Sequence, residues 1–439
     1  MIAAVGLLLL AGGPLVAEKR FRLDRPSEVV ATLTAGCEAC DWGQEGREAA
    51  VLVLSLDGKY SQHLFLSRGD LPVEYPVGLG SLGPGQHRLE LHADRAASAP
   101  KAGKVTIDDI RFAFTPEDGH DHALLAFAPI LYARPNTVGR FTDLPLVMWC
   151  ERESTSGGSR LRYSVVFTNE DGGTPVDRLM ATWGRVTDIE YVYSVELDGT
   201  GKVVAEELQG KDHKLLPFRG PHEGSHPLEW VVTDNNMVGD HGETTQRYAL
   251  VPELADLADV SREAVMDAHP WTYRLSAQEA RREGRVAADA RPGSDRIPDP
   301  RRFATLEACG RVEDAALSFA IGAEADGGET RWYESDGGLP RFRVSRSGCF
   351  RSAVALPAEA DGRLVALRLR AHTRLPQEGE APLPPGTGRA RLVRINKLFL
   401  LGEDDEPAEN LFAWTGEADL AAEGPPLELA LRARPKPGP

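Results

Sequence analysis

The sequence predicts a mainly β, multi-domain protein in which two β-sandwich modules flank a central β-rich domain ending in a few helices. Three observations carry that expectation. Apolar and polar residues alternate at period two along much of the chain, as half-buried strands require. Turn residues punctuate these runs, with 44 glycines and 31 prolines among 439 residues. A chain of that length also exceeds one ordinary core and must divide.

Residues 1–17 form an uncharged apolar run that stops at Glu18-Lys19-Arg20. The run is marginal for a bilayer, and Gly12-Gly13-Pro14 breaks its second half, so it reads as a secretory signal. Export to the exterior or the periplasm follows, with no integral membrane segment left after cleavage. Residues 18–114 read as the first sandwich. There the run over 51–56 meets Asp57-Gly58 and turns back over 60–66, a strong hairpin signal. A second turn precedes a strand near 85–92, and the last strand starts at Lys104.

Residues 115–290 differ in composition. Strands are expected over 161–168, 187–197 and 202–208, and helices near 261–266 and 280–288, the latter behind a capping box at Ser276-Ala-Gln-Glu279. On the strand over 187–197, period two places Ile189, Tyr191, Tyr193, Val195 and Leu197 on one face. Asp188, Glu190 and Glu196 then share the other. Residues 291–302 hold three prolines and a glycine and read as a linker. Residues 303–433 alternate again, notably over 365–372 and 391–400, and form the second sandwich. Residues 434–439 read as a disordered tail.

The formal net charge of −16 argues against a nucleic-acid partner, which demands clustered Lys and Arg. It also weakens attraction to anionic membranes. Five cysteines suit an exported protein with one left over. Cys37 and Cys40 make one close pair, Cys309 and Cys349 the natural second bridge, and Cys150 the odd, buried thiol.

Seven of eleven histidines fall between His120 and His269, and four of seven tryptophans between Trp149 and Trp271, which locates the working region. Within it, Asn169-Glu170-Asp171-Gly172-Gly173-Thr174 follows a strand. Its oxygens in a glycine-rich turn suit Ca²⁺, although the same residues also close turns through their own backbone. His120 and His122 have a spacing suited to Zn²⁺, with His213 or His241 as a third ligand. Zn²⁺ ranks behind Ca²⁺ because Gly119 marks a loop there. Asp234, Asn235 and Asn236 form a further polar loop.

Asp188 and Glu190 are the candidate acid and base, with Arg185 and His241 to steady charge and Trp183 or Trp230 to stack on a sugar ring. A row of carboxylates on one strand equally describes a solvated sheet face, and buried tryptophans equally describe a core. No nucleophile elbow, phosphate-binding loop or dinucleotide fingerprint is present. The expected function is an exported protein that binds or acts on an extracellular glycan or small-molecule ligand, as a glycoside hydrolase or lyase if catalytic. The alternatives are a non-catalytic envelope or surface binding protein and a zinc-dependent hydrolase. An enzyme requires the carboxylates, histidine and tryptophan to converge in one concavity.

Overall fold

The computed structural model describes residues 13–360 and 363–431. The protein is mainly β, with several antiparallel sheets and few helices. It divides into two compact units: residues up to Asp171 with Asp188–Ala255, and Gly172–Thr187 with the chain from Asp256 onward. Residues 172–187 and 256–290, expected within one central domain, therefore fall in the second unit.

The first unit opens with seven strands: β1 (Leu15–Leu23), β2 (Ser27–Cys37), β3 (Ala50–Leu56), β4 (Lys59–Leu66), β5 (Val73–Leu82), β6 (Gly85–Asp94) and β7 (Val105–Pro116). They form two sheets, β1-β6-β3-β4 and β5-β2-β7, around a core that includes Leu33, Leu52, Leu54 and Leu89. Asp57 and Gly58 take positive φ between β3 and β4, the primed-turn geometry that a two-residue hairpin needs. Of the expected signal, residues 1–12 lie outside the described residues, while 15–17 begin β1. Pairing of β1 with β6 continues from Glu18 to Leu23, so a strand remains if the chain is cut after Ala17.

The same unit continues through α1 (His122–Ala126), β8 (Ile130–Tyr132), β9 (Pro145–Thr155), β10 (Gly158–Phe167), β11 (Asp188–Asp198), β12 (Val203–Gly210) and β13 (Lys214–Pro217). Then come β14 (His222–Glu223), β15 (His226–Val231), β16 (Val238–Gly239), β17 (Arg247–Tyr248) and β18 (Pro252–Leu254). One sheet runs β13-β12-β11-β10-β9-β18; a smaller one runs β14-β15-β8-β17, with β16 beside β15. Leu131, Met148, Tyr163, Phe167, Tyr193, Val195 and Val231 belong to one buried core.

The second unit holds α2 (Val176–Trp183), α3 (Ala264–Ala268) and α4 (Trp271–Arg282). The capping box expected at Ser276 is corrected: α4 starts five residues earlier, behind Pro270. Proline suits the first turn because its missing N–H is not needed there, and Ser276 and Glu279 lie inside the helix, fully buried. The expected linker is pinned rather than loose, with Asp177 accepting from the Gly293 and Ser294 N–H groups at 2.5 and 3.1 Å.

Eight further strands complete this unit: β19 (Phe303–Glu313), β20 (Ala315–Glu324), β21 (Thr330–Glu334), β22 (Gly348–Ala355), β23 (Leu364–Thr373), β24 (Arg389–Phe399), β25 (Trp414–Ala421) and β26 (Leu427–Ala430). The sheets β22-β19-β24-β25 and β21-β20-β23-β26 enclose a core including Leu306, Phe319, Ile321, Phe350 and Leu367. Residues 434–439 lie outside the described residues.

Cys37–Cys40 and Cys309–Cys349 are disulfides, and Cys150 is a buried thiol. Burial pushes the Cys150 thiol up to about 12, so it is inert at neutral pH. No helix among the described residues is long and apolar enough to cross a membrane.

Arg351 ties the helices of the second unit to its sheet. It is fully buried on β22, and its Nε donates to Glu307 Oε2 at 2.7 Å. Its two Nη atoms donate to Asp267 and to the Tyr273 hydroxyl. Ser261 and Asn396 complete the shell of Glu307, each at 2.8 Å. Replacing Arg351 by Met takes the guanidinium from two carboxylates, Glu307 and Asp267, and should cost about 3–5 kcal/mol. A urea unfolding midpoint unchanged from the wild type would refute this role.

Candidate functional site

The strand carrying Asp188 and Glu190 does not alternate as the sequence implies. In the β10–β11 register, Tyr163 faces Tyr193 but Ser164 faces Tyr191, so Val192 is an extra residue. Such a bulge reverses the faces on either side of it. Asp188 then lies opposite Phe167 and Glu190 opposite Val165, on the sheet face that carries Tyr193 and Val195. The solvated carboxylate face is therefore corrected: Asp188 is 2% exposed and Glu190 6%. Glu196, beyond the bulge, stays on the other face and pairs with Arg160 at 3.0 Å.

Burial of these acids is matched by a polar cluster at the ends of the neighbouring strands. Arg134, just past β8, is 3% exposed. Its Nη2 donates to Asp143 at 2.7 Å and to Asp171 at 2.6 Å. Its Nη1 donates to Asp234 at 2.8 Å and to the Thr233 carbonyl at 2.9 Å. Thr142 donates to the second Asp171 oxygen at 3.0 Å. Asn236, in the turn after β15, has a φ of 56°, a conformation that asparagine tolerates. Its side-chain amide donates to Asp188 Oδ2 and to the Asn169 carbonyl, each at 3.0 Å.

Asn169 in turn accepts from the Glu170 N–H at 2.9 Å, and both residues are buried. Asn235 accepts from the Thr233 hydroxyl at 2.7 Å. The structure thus gathers Asn169, Glu170, Asp171, Asp188, Asp234, Asn235 and Asn236, with Glu190 two residues along β11 and His213 4.0 Å from it. A cavity of about 10 Å³ lies against Arg134, Asp143, Phe167 and Asn236, room for a water molecule rather than a sugar ring. The cluster reaches solvent through Asp234, whose side chain is 64% exposed, and through partly exposed Asp171 and Asn235.

The remaining candidates lie elsewhere. Arg185 and Trp183 belong to the second unit. Arg185 is buried and donates to Glu263 at 3.1 Å and to the Thr187 carbonyl. Burial raises the Glu263 pKa, but the charges of Arg185 and neighbouring arginines overcome this and hold it well below the usual carboxylate range. Trp183 lies beneath the Arg346 guanidinium at 5.2 Å. Trp230 stacks on Tyr132 with centroids 4.5 Å apart, and its indole N–H donates to the Thr244 carbonyl at 3.1 Å. His241 is 93% exposed and bonded to Asp240. His120 is 81% exposed and bonded to Asp121, while His122 opens α1. Among the described residues, no group of three or more His, Cys, Asp or Glu is placed to hold a metal ion.

Arg134 and Asp143 were not anticipated from the sequence. One signal was available: a lone arginine directly after the apolar run 123–133 needs carboxylates wherever that run is buried.

No protein-family model and no curated protein matches the chain. Among solved structures, NLPPya in complex with glucosamine is similar at 14% identity and a TM-score of 0.23, over 31% of this chain and 74% of that one. NLPPya in complex with mannosamine is similar at 15% identity and a TM-score of 0.22, over 31% of this chain and 75% of that one. At these values neither fold nor ligand transfers to this chain.

The Asn236 amide gives the buried Asp188 carboxylate a neutral donor, and an aspartate there would set a second carboxyl against it. Asn236→Asp should destabilise the protein by about 1–3 kcal/mol at pH 7, with the deficit shrinking near pH 4 as one carboxyl takes a proton. Thermal melts of variant and wild type at both pH values check this, and equal melting temperatures at pH 7 contradict it.

Proposed function

We propose that this chain is an exported carbohydrate-binding protein whose site is the Arg134-centred cluster, and that it binds without catalysis. The observation that carries the reading is the convergence of Asn169, Asp171, Asp188, Asp234 and Asn236 into one hydrogen-bonded group that opens to solvent. Carboxylates and side-chain amides supply the acceptors and donors that arrays of hydroxyls need. The two disulfides suit a compartment more oxidising than the cytosol.

Charge narrows the ligand class. The Arg134 guanidinium serves three carboxylates, so the cluster is net negative. Uronic acids and sulfated sugars are disfavoured there, whereas neutral or cationic sugars are accommodated. The small cavity directs the sugar to the rim at Asp171, Asp234 and Asn235. Binding is preferred to hydrolysis because Arg185 is held by Glu263, His241 stands in solvent, and both tryptophans are packed against other side chains.

A glycan array, followed by calorimetry on the strongest hit, tests the reading. Asp234→Ala and Asn235→Ala should each weaken binding about tenfold or more, equivalent to about 1.4 kcal/mol, with far-ultraviolet dichroism unchanged. Undiminished affinity in both folded variants, or preference for anionic glycans, would overturn it.

A further inference from the structure

Strand β15 carries two buried ionisable side chains, one on each face. His226 is 7% exposed and sits between two acceptors. Its Nδ1 lies 2.9 Å from the Ala128 carbonyl and its Nε2 lies 3.1 Å from Oε2 of Glu28, itself 3% exposed on β2. A neutral imidazole has one N–H and cannot satisfy a carbonyl and a carboxylate together. An imidazolium, with both nitrogens protonated, satisfies the two acceptors at once, so the pair retains one proton. The other charged groups about it are Glu223 on β14 and Arg247 on β17, which grip each other at 2.6 and 3.0 Å.

Glu229 lies three residues on, so it points to the opposite face, the one shared with core residue Val231. It is 0% exposed, and neither carboxyl oxygen has a hydrogen-bond partner among the described residues. The charge that bears on it is Asp240, after β16, which repels an anion. Tyr193 of β11 is in the same surroundings, but its hydroxyl is given to Glu206 of β12, which also takes the His222 Nε2 at 2.8 Å. A carboxyl so placed is held as the neutral acid.

We propose that β15 is a proton-dependent latch, seated only while the His226–Glu28 pair and Glu229 each keep a proton. As pH rises, the strand loosens together with residues 233–236 that follow it. Those residues carry Asp234 and Asn236, so the latch sets the order of the Arg134 cluster whatever that cluster binds.

Both groups act in the same direction. Burial lowers the His226 pKa, but Glu28, the Ala128 carbonyl and Glu223 outweigh it and raise the folded value above 6.5. The stability it gives is complete below 6.5 and is lost as pH climbs through the raised value. Burial, then Asp240, raises Glu229 well above 4.5, so its contribution is present below 4.5 and falls as pH rises beyond it.

Hydrogen exchange of the whole chain, corrected for intrinsic rates, tests the latch without any ligand. Protection over 226–237 should fall about tenfold or more between pH of about 5 and about 8.5, while β24 holds. Glu229→Gln, which has no proton to lose, should shrink that fall. Equal protection at both pH values, or a Glu229→Gln variant that falls as far as the wild type, overturns the proposal. If that variant does not fold, wild-type melting temperatures decide. A decline from pH of about 6 to about 9 supports the latch, and a flat profile refutes it.

Discussion

A guanidinium removed from water must be ringed by acceptors, and Arg134 imposes that constraint on the first unit. It stands at the end of β8 and draws in Asp143 before β9, Asp171 after β10 and Asp234 after β15. Three connections far apart in sequence are thereby fixed around one side chain. Buried ion pairs add little net stability, because desolvation offsets attraction, but losing one partner is costly. Their value here is registry: each strand must end where its carboxylate meets the guanidinium.

The β11 bulge is the second constraint, and it turns a strand of ordinary composition into part of a site. One extra residue at Val192 lets Tyr193 and Val195 enter the core while Asp188 and Glu190 continue the same face beyond it. The carboxylates thus lie at the polar end of an intersheet space whose other end is apolar. Asn236 closes that polar end by bonding Asp188 and the Asn169 backbone together. A ligand at the rim would meet a pre-arranged surface, which reduces the ordering cost of binding.

The second unit solves the same problem with different parts. Arg351 is surrounded by Glu307, Asp267 and Tyr273, and it joins α3 and α4 to the β19–β22–β24 sheet. Asp267 is also reached by Lys397, so burial of the carboxyl is outweighed by two cations that hold its pKa low. In both units a fully enclosed arginine marks the place where irregular segments meet regular strands.

Local chemistry determined much of this in the sequence alone. The Asp57-Gly58 hairpin, the alternating strands of both sandwiches, the two disulfide pairs and the polar loops at Asn169 and Asp234 follow from turn preference, period two and cysteine spacing. Tertiary structure alone decided the face of Asp188 and Glu190, because a bulge changes side-chain phase without changing the residues that form the strand. It also decided which acids Arg134 gathers, since pairing across about a hundred residues leaves no periodic trace. Arg185 and Trp183 show the converse. Proximity along the chain to Asp188 suggested a shared site, yet they fold into the second unit, where Glu263 and Arg346 engage them.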